Sequence, residues 1–291
     1  MILIREIPSG RPLRFSDGFY ENLKIYYSYS TKVNSKGEDL NRTLRFAEKS
    51  VDLTKKFYKN VNLITDTKGV NIFKNIGFKN VYNILDIVPE KYKDVWSLGK
   101  LYSIRYISSL KQHFAHMDFD FFITKRLSND IEKSEIFVQS IEHNLRILKY
   151  GIPIFEKKCK RKYSNEKSNI AYNCGIIGGK NYEFFNEYAS KAIEMVEDPE
   201  NANLWVDEVK ELAHWSKATL AEQYFFACLL REKNIIPSLV FDNTYSINYA
   251  PSDLKYFKNT GAFHLYGSHK SNDFFLDLLD LKEKPVVDDE L

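Results

Sequence analysis

The sequence predicts one α/β domain built around a mixed, mainly parallel sheet flanked by helices. Segments of strand type and helix type alternate along the chain, which is the pattern of βαβ units. The chain has 291 residues, 44% of them hydrophobic, which fits one large soluble domain. We find neither an internal repeat nor a long glycine- or serine-rich linker. We therefore expect residues 1–291 to form a single domain.

Strands are predicted where β-branched and aromatic residues run between turn signals. The first predicted strand is the Tyr-rich stretch LKIYYSYS, and the second is NVNLITD, which has the pattern of a short buried strand. Parallel sheets bind ligands beyond the carboxyl ends of their strands, so polar residues that follow strands are candidates for a site. The predicted strands are 23–30, 60–66, 81–88, 113–123, 134–142, 168–179 and 235–241.

Helices are predicted where apolar residues recur with a period near 3.6. The segment YEFFNEYASKAIEMVE, 182–197, has the clearest apolar face. The other predicted helices cover Leu40 to Thr54, 95–110 and 217–234, and residues 271–291 are expected to form a C-terminal helix and an acidic tail.

Charge, cysteines and hydropathy set limits on partners and location. A net charge of +3 is too small to indicate a nucleic-acid partner. Cys159, Cys174 and Cys228 lack zinc-site spacing and are expected to be reduced thiols. The N-terminus has no signal-peptide pattern and no stretch is long and apolar enough to span a membrane, so we expect a cytoplasmic protein.

The basic segment 156–169 is expected to be a mobile loop. An alternative is a flap that meets an anionic acceptor or the inner membrane face.

The stretch HMDFDFF, 116–122, places two carboxylates in an apolar run. On a strand, Asp118 and Asp120 would share a face. They could lie on the solvated face of an edge or antiparallel strand, or they could be oxygen ligands of a divalent cation. Chance supplies about one Asp-x-Asp in a chain of this composition, so the motif alone does not decide.

The stretch HLYGSHK contains the pattern His264-x-x-Gly267-x-x-Lys270, of which chance would supply only ~0.03 copies. Histidine can add a nitrogen ligand to two carboxylates, and such a mixed set suits Mn²⁺ or Mg²⁺. Gly267 would let the backbone approach a phosphate, and Lys270 would supply a charge for it. The alternative is an ordinary loop with a buried histidine and a solvated lysine.

Taken together, the two motifs resemble the GT-A fold of nucleotide-sugar glycosyltransferases. The likeness is closest to the retaining group of glycogenin and the bacterial lipopolysaccharide galactosyltransferases. The stretches WSLGK, HMDFDFF and AYNCGIIGG together also resemble a bacterial set of uncharacterised GT-A-like proteins. The resemblance implies a single GT-A, or Rossmann-like, domain with an Mn²⁺ (or Mg²⁺) cofactor and a nucleotide-sugar donor.

The resemblance also implies roles for individual residues. Asp118, Asp120 and His264 would bind the metal, while Gly267 and Lys270 would hold the donor diphosphate. The further implied donor contacts are Asp118 at the ribose, Asp66 at the nucleotide base, Lys100 in place of an arginine over the donor, and Asn173 and Gly175 near the sugar. Glu222 and Gln223 of AEQY would stand at the reacting face of the sugar as the catalytic pair.

Three departures from the resembled pattern involve four residues. Ser271 and Asn272 follow Lys270 where Pro-Trp is usual, and Tyr224 stands where Asp is common. Lys100 replaces an arginine and therefore loses the bidentate fork.

The implied reaction is transfer of a hexose, with retention, from a UDP-sugar to a glycan, a lipid-linked sugar or a protein. Three alternatives stay open. The chain could be a non-catalytic GT-A-like protein that binds a nucleotide sugar or glycan. It could be a metal-dependent phosphoesterase or nucleotidyltransferase, which would want a second metal. It could also be a structural α/β protein with a chance motif.

Overall fold

The computed structural model describes residues 23–33, 39–142, 147–206, 214–241 and 261–265. The expected C-terminal helix and tail, 271–291, lie outside these ranges. The strands are β1 Lys24–Tyr29, β2 Val61–Thr65, β3 Asn80–Asn83, β4 Phe114–Met117, β5 Phe121–Ile123, β6 Phe137–Ile141, β7 Tyr172–Gly179, β8 Ser238–Leu239 and β9 Ala262–His264. The α-helices are α1 Leu40–Lys55, α2 Thr67–Ile72, α3 Leu98–Ser109, α4 Asn129–Lys133, α5 Ile152–Lys158, α6 Tyr182–Glu197, α7 Ala202–Trp205, α8 His214–Thr219 and α9 Phe225–Glu232.

Seven strands form one sheet in the order β3-β2-β1-β4-β7-β6-β8. Strand β7 runs antiparallel to both of its neighbours, β4 and β6, whereas the other pairings are parallel. This confirms the predicted α/β class with a mixed, mainly parallel sheet. Strands β5 and β9 pair separately and antiparallel.

Helices cover both faces of the large sheet because its strands alternate apolar side chains between them. In β1, Ile25 and Tyr27 pack with Val51 of α1 on one face. Tyr26 points to the other face, into the larger core that α3, α6 and α9 share. The faces are therefore set by the two-residue period of β1, and α3 is held directly against the sheet.

The predicted strand 113–123 is wrong as a continuous element. It divides into β4 and β5, which belong to different sheets, and residues 118–120 form the turn between them. The N–H of Phe121 donates to the carbonyl of Asp118 at 3.0 Å, which closes the turn. Asp118 and Asp120 therefore do not share one strand face, and each meets different partners.

Other differences concern where elements begin and end. The predicted strand 81–88 stops at Asn83, and a 3₁₀ turn, Leu85–Ile87, follows it. The predicted helix 217–234 begins earlier and contains a π-helical turn, Leu220–Tyr224, between α8 and α9. Such wide turns in α-helices occur frequently at functional sites.

The segment 156–169 begins within α5, and hydrogen bonds hold the part that follows it. The Asn201 amide oxygen accepts from the N–H groups of Lys160 and Arg161, at 3.0 and 3.1 Å. Glu232 accepts from Ser164 and from the N–H of Asn165, at 2.9 and 2.8 Å. The segment thus has fixed partners, and its mobility stays a prediction.

The three cysteines are free and buried, as the prediction of reduced thiols requires. None of the helices in the described ranges combines the length and the apolarity that crossing a bilayer requires.

Candidate metal centre

The Asp-x-Asp turn is anchored through its backbone and through its middle residue. The N–H of Asp118 donates to the carbonyl of Gly175 on β7 at 2.9 Å. Phe119 stacks against Tyr27 and Phe73, with ring centroids 5.3 and 5.2 Å away. Because the Phe119 ring is packed in this way, its two neighbours in the chain, Asp118 and Asp120, are held at the carboxyl end of β4.

His264 reaches this turn because β9 pairs with β5. Phe121 lies opposite His264 in the ladder, and the N–H of Leu265 donates to the carbonyl of Asp120 at 2.9 Å. His264 Nε2 consequently lies 3.0 Å from Asp120 Oδ1. The predicted approach of Asp120 and His264, which are 144 positions apart, is confirmed.

Asp118, Asp120 and His264 form a cluster that could hold a divalent cation. One ligand atom from each residue lies within 4.8 Å of the other two. Asp120 and His264 are buried, and Asp118 is half-buried, so the cluster is closed on one side and reachable on the other. Two carboxylate oxygens with one imidazole nitrogen fit a cation of the Mn²⁺ or Mg²⁺ type better than a thiolate-seeking metal. A cation held in this cluster would compensate the charge of the buried Asp120 carboxylate, which would otherwise be costly to bury.

A bulge between β6 and β7 prepares the space behind His264. Val138 pairs with Ile177, but Ser140 pairs with Asn173, so Gln139 stands opposite residues 174–176. Gln139 Oε1 lies 2.8 Å from His264 Nδ1. A Cβ atom on Gly175 would come within 2.3 Å of both of these atoms. Only glycine at position 175 leaves room for this hydrogen bond.

Lys100 of α3 is buried beneath the Asp-x-Asp turn and contacts two acidic side chains. Its Nζ lies 2.8 Å from Asp118 Oδ1 and 2.7 Å from Glu222 Oε1, and it donates to the carbonyl of Cys174 at 2.7 Å. Burial opposes the charged form, but the carboxylates of Asp118 and Glu222 outweigh it and raise the pKa of Lys100 above its usual range. Lys100 is therefore an ammonium ion held between two acids.

Glu222 and Gln223 lie in the π-helical turn, and both are buried. Burial raises the pKa of the Glu222 carboxyl to about 7, with Lys100 opposing the shift and the charge of Asp118 adding to it. Among the described residues, Gln223 Oε1 has no hydrogen-bond partner. A buried acceptor without a partner costs about 1–3 kcal/mol, which is typical of a group kept for a ligand.

Two other predicted donor residues have partners within the chain. The Asn173 side chain accepts from the N–H of Gly175 at 3.1 Å and donates to Glu142 at 3.2 Å, so it supports the bulge. The Asp66 carboxylate caps α2 through the N–H of Gly69 at 2.8 Å, and it also accepts from Thr31. Asp66 lies at the carboxyl end of β2, the same edge of the sheet as Asp118. Contacts of either residue with a donor stay predictions.

Gly267 and Lys270, the predicted diphosphate contacts, lie outside the described residues, and their role stays a prediction.

Sequence interpretation missed two contributors to this site. The first is Gln139 in IFVQSIE, whose only sequence signal is that it ends the apolar run 136–138. The second is the carbonyl of Cys174, which the bulge frees to accept from Lys100. Backbone acceptors carry no signal in side-chain patterns, so this contact could not have been found from the sequence.

Comparison with known protein families assigns the chain to one family. The sequence profile described as a family of unknown function, DUF6734, matches residues 46–283. The chain belongs to DUF6734. A comparison of this DUF6734 protein with curated proteins gave no match. Among solved structures it is similar to the apo form of mouse xyloside xylosyltransferase 1, with 10% sequence identity, a TM-score of 0.44, and coverage of 85% of this chain and 99% of that one. The function is therefore argued from the site.

Proposed function

We propose that this DUF6734 protein is a metal-dependent glycosyltransferase that moves a hexose from a UDP-sugar to an acceptor, with retention. The observation that carries the proposal is the cluster of Asp118, Asp120 and His264 at the carboxyl edge of a mainly parallel sheet. This edge is where α/β sheets bind nucleotides and related ligands. The resemblance of both motifs to GT-A enzymes, closest to the retaining glycogenin group, supplies the reaction type.

In this proposal, Asp118, Asp120 and His264 hold Mn²⁺ or Mg²⁺. The cation, when bound, neutralises negative charge that gathers on the leaving diphosphate. Lys270 adds a second positive charge at the diphosphate, while Gly267 allows close approach of the backbone. Asp118 contacts the ribose, and Asp66 lies near the base.

Residues of α3, β7 and the π-helical turn would surround the sugar. Lys100 orients the carboxyl groups of Asp118 and Glu222 through its two ion pairs. Gln223 offers an amide oxygen that is free of partners within the described residues, and sugar hydroxyls are suitable donors to it. Asn173 and Gly175 shape the β7 side of this region.

A non-catalytic nucleotide-sugar or glycan binder is the second candidate. Tyr224 favours it, since this residue stands where the resembled enzymes often have Asp. The Tyr224 hydroxyl donates a hydrogen bond to Glu156 Oε1 at 2.9 Å, and its ring packs against Phe155. These are contacts of a structural residue. Release of UDP from a panel of UDP-hexoses, measured with and without simple glycan acceptors, separates the two candidates, because a binder produces none.

The metal part is tested by calorimetry of UDP binding with Mn²⁺ and with a chelator. UDP should bind far more tightly with Mn²⁺, because Asp118, Asp120 and His264 would hold the cation and its charge would attract the diphosphate. Asp120→Asn should abolish that gain, because it removes an anionic ligand while keeping the side-chain shape. Asp130→Asn, an exposed aspartate on α4, is the matched control and should behave as the wild type. Equal UDP affinity with Mn²⁺ and with chelator would refute the metal-dependent function.

The partners and location that complete the proposal are a cytoplasmic setting with peripheral contact at the inner membrane face, a UDP-sugar donor, and a glycan, lipid-linked sugar or protein as acceptor. Vesicle co-sedimentation with anionic lipids tests the membrane contact. Failure to sediment would remove that contact and leave the donor chemistry untouched.

A further inference from the structure

Gln139 lies behind the histidine of the metal cluster, outside the ligand set. Its Oε1 is 2.8 Å from His264 Nδ1, and the other ring nitrogen, Nε2, is 3.0 Å from Asp120 Oδ1. All three side chains are buried, so bulk water does not compete for either ring nitrogen. The two ring nitrogens thus face different side chains, Gln139 and Asp120.

The two neighbours make different demands on the ring. An amide oxygen only accepts hydrogen bonds, so Nδ1 must carry a proton to bond to Gln139. In the neutral imidazole, Nε2 then presents its lone pair on the side of Asp120. A nitrogen lone pair and a carboxylate oxygen 3.0 Å apart repel each other unless a proton or a metal cation lies between them. The arrangement suits a ligand pair awaiting a positive ion.

We propose that Gln139 is the positioning residue of the metal centre and fixes His264 in the tautomer whose Nε2 ligates a divalent cation. This rests on the metal-dependent function proposed above and extends it to a residue outside the ligand set. Histidine ligands need such a partner, because the hydrogen bond at the distal nitrogen sets both the ring orientation and its basicity.

The backbone is built for this contact. The β6–β7 bulge sets Gln139 opposite residues 174–176, and Gly175 leaves the gap through which its side chain meets the ring. Bulges redirect side chains next to sites, and here the redirected side chain is the one that bonds to His264.

The test compares Mn²⁺ binding to the full chain in two nearly isosteric variants. Gln139→Met keeps length and shape but removes the acceptor, and Gln139→Glu keeps an acceptor oxygen and strengthens it. We expect the Mn²⁺ Kd to rise 10- to 100-fold in Gln139→Met and to stay equal or fall in Gln139→Glu, the range typical of lost second-layer partners. Val138→Ala, on the same strand but in the core, is the control and should leave the Kd unchanged.

Pulsed electron paramagnetic resonance of bound Mn²⁺ provides a readout that a purely structural role would not move. Wild type and Gln139→Glu should show a directly coordinated imidazole nitrogen, and Gln139→Met at saturating Mn²⁺ should lose that coupling. Retention of the coupling and of the wild-type Kd in Gln139→Met would overturn the role of Gln139 alone. Absence of Mn²⁺ binding in the wild type would overturn the metal-dependent function together with it. If Gln139→Met does not fold, Gln139→Glu still decides, because a Kd raised more than tenfold there contradicts the proposal.

Discussion

The ammonium group of Lys100 lies 2.7 Å from Glu222 Oε1 and is buried with it. The same nitrogen is 2.8 Å from Asp118 Oδ1, so one cation from α3 joins the π-helical turn to the Asp-x-Asp turn. The resembled enzymes use an arginine at this position. Lysine provides a point charge instead of a planar fork, and three donors converge here on two carboxylates and one carbonyl.

Removing the charge of Lys100 should destabilise the fold. Lys100→Met leaves Glu222 buried without its cation, and breaking a buried pair from one side costs about 3–5 kcal/mol. Urea unfolding in the presence of chelator measures the change. Adding Glu222→Gln to Lys100→Met should recover part of the loss, because no uncompensated buried charge then remains. Lys93→Met, at an exposed lysine, should change stability by less than about 0.5 kcal/mol. A Lys100→Met protein as stable as this control would contradict the buried pair.

Glu222 should make stability depend on pH. Its pKa is raised to about 7 in the folded chain, above its ordinary value of 4.5, chiefly by burial. Between pH 4.5 and 7 the folded state therefore holds more protons than the unfolded state, and the free energy of unfolding falls as pH rises through this window. The whole contribution is of the order of 3 kcal/mol.

The matched comparison for this effect is Glu222→Gln, which cannot titrate. Burial lowers the pKa of His113 and His116, so these residues titrate in the opposite direction in both proteins. The difference in unfolding free energy between the wild type and the variant isolates Glu222. That difference should decline from pH 4.5 to 7, and a flat difference by urea titration would show that Glu222 ionises normally.

Gly175→Ala should damage metal binding more than it damages the fold. The added Cβ would lie 2.3 Å from both Gln139 Oε1 and His264 Nδ1, so at least one of these side chains must shift and the hydrogen bond that orients the ring is disturbed. We expect the Mn²⁺ Kd, measured by calorimetry, to rise at least tenfold, as for other lost second-layer contacts. Ile176→Val, the next residue of β7, removes one buried methylene and should cost about 1 kcal/mol of stability with no change in Kd. Equal Mn²⁺ affinity in Gly175→Ala and wild type would show that His264 is not held against β7.

Lys270 and Gln223 should separate phosphate contacts from sugar contacts. Lys270→Ala removes a charge at the diphosphate, and we expect weaker UDP binding at saturating Mn²⁺ and a fall in turnover of roughly 10²–10³. Gln223→Ala should leave UDP affinity nearly unchanged and lower only turnover, because its contacts are with the sugar. If Gln223→Ala weakens UDP as much as Lys270→Ala does, the π-helical turn faces the nucleotide instead.

The periodicity of apolar residues predicted secondary structure correctly where a single period ran through the whole segment. The 3.6-residue repeat of 182–197 predicted α6 at its observed bounds, because its apolar face is formed by that segment alone. The prediction of one continuous strand over 113–123 was wrong, because a turn interrupts it. That turn depends on the carbonyl of Gly175, far along the chain, and on the packing of Phe119 against two other rings. No periodicity within eleven residues carries that information.

The sequence by itself determined the α/β class and the chemistry of the candidate site. Alternating strand and helix periods predict which segments pack together, and two acidic residues with a distant histidine define a candidate set of oxygen and nitrogen ligands. The tertiary structure alone decided which atoms meet. The β5–β9 register brings His264 to Asp120, the β6–β7 bulge turns Gln139 onto the histidine, and α3 buries Lys100 between Asp118 and Glu222. These contacts join residues far apart in the chain, and their energies depend on distance and burial, which local composition does not encode.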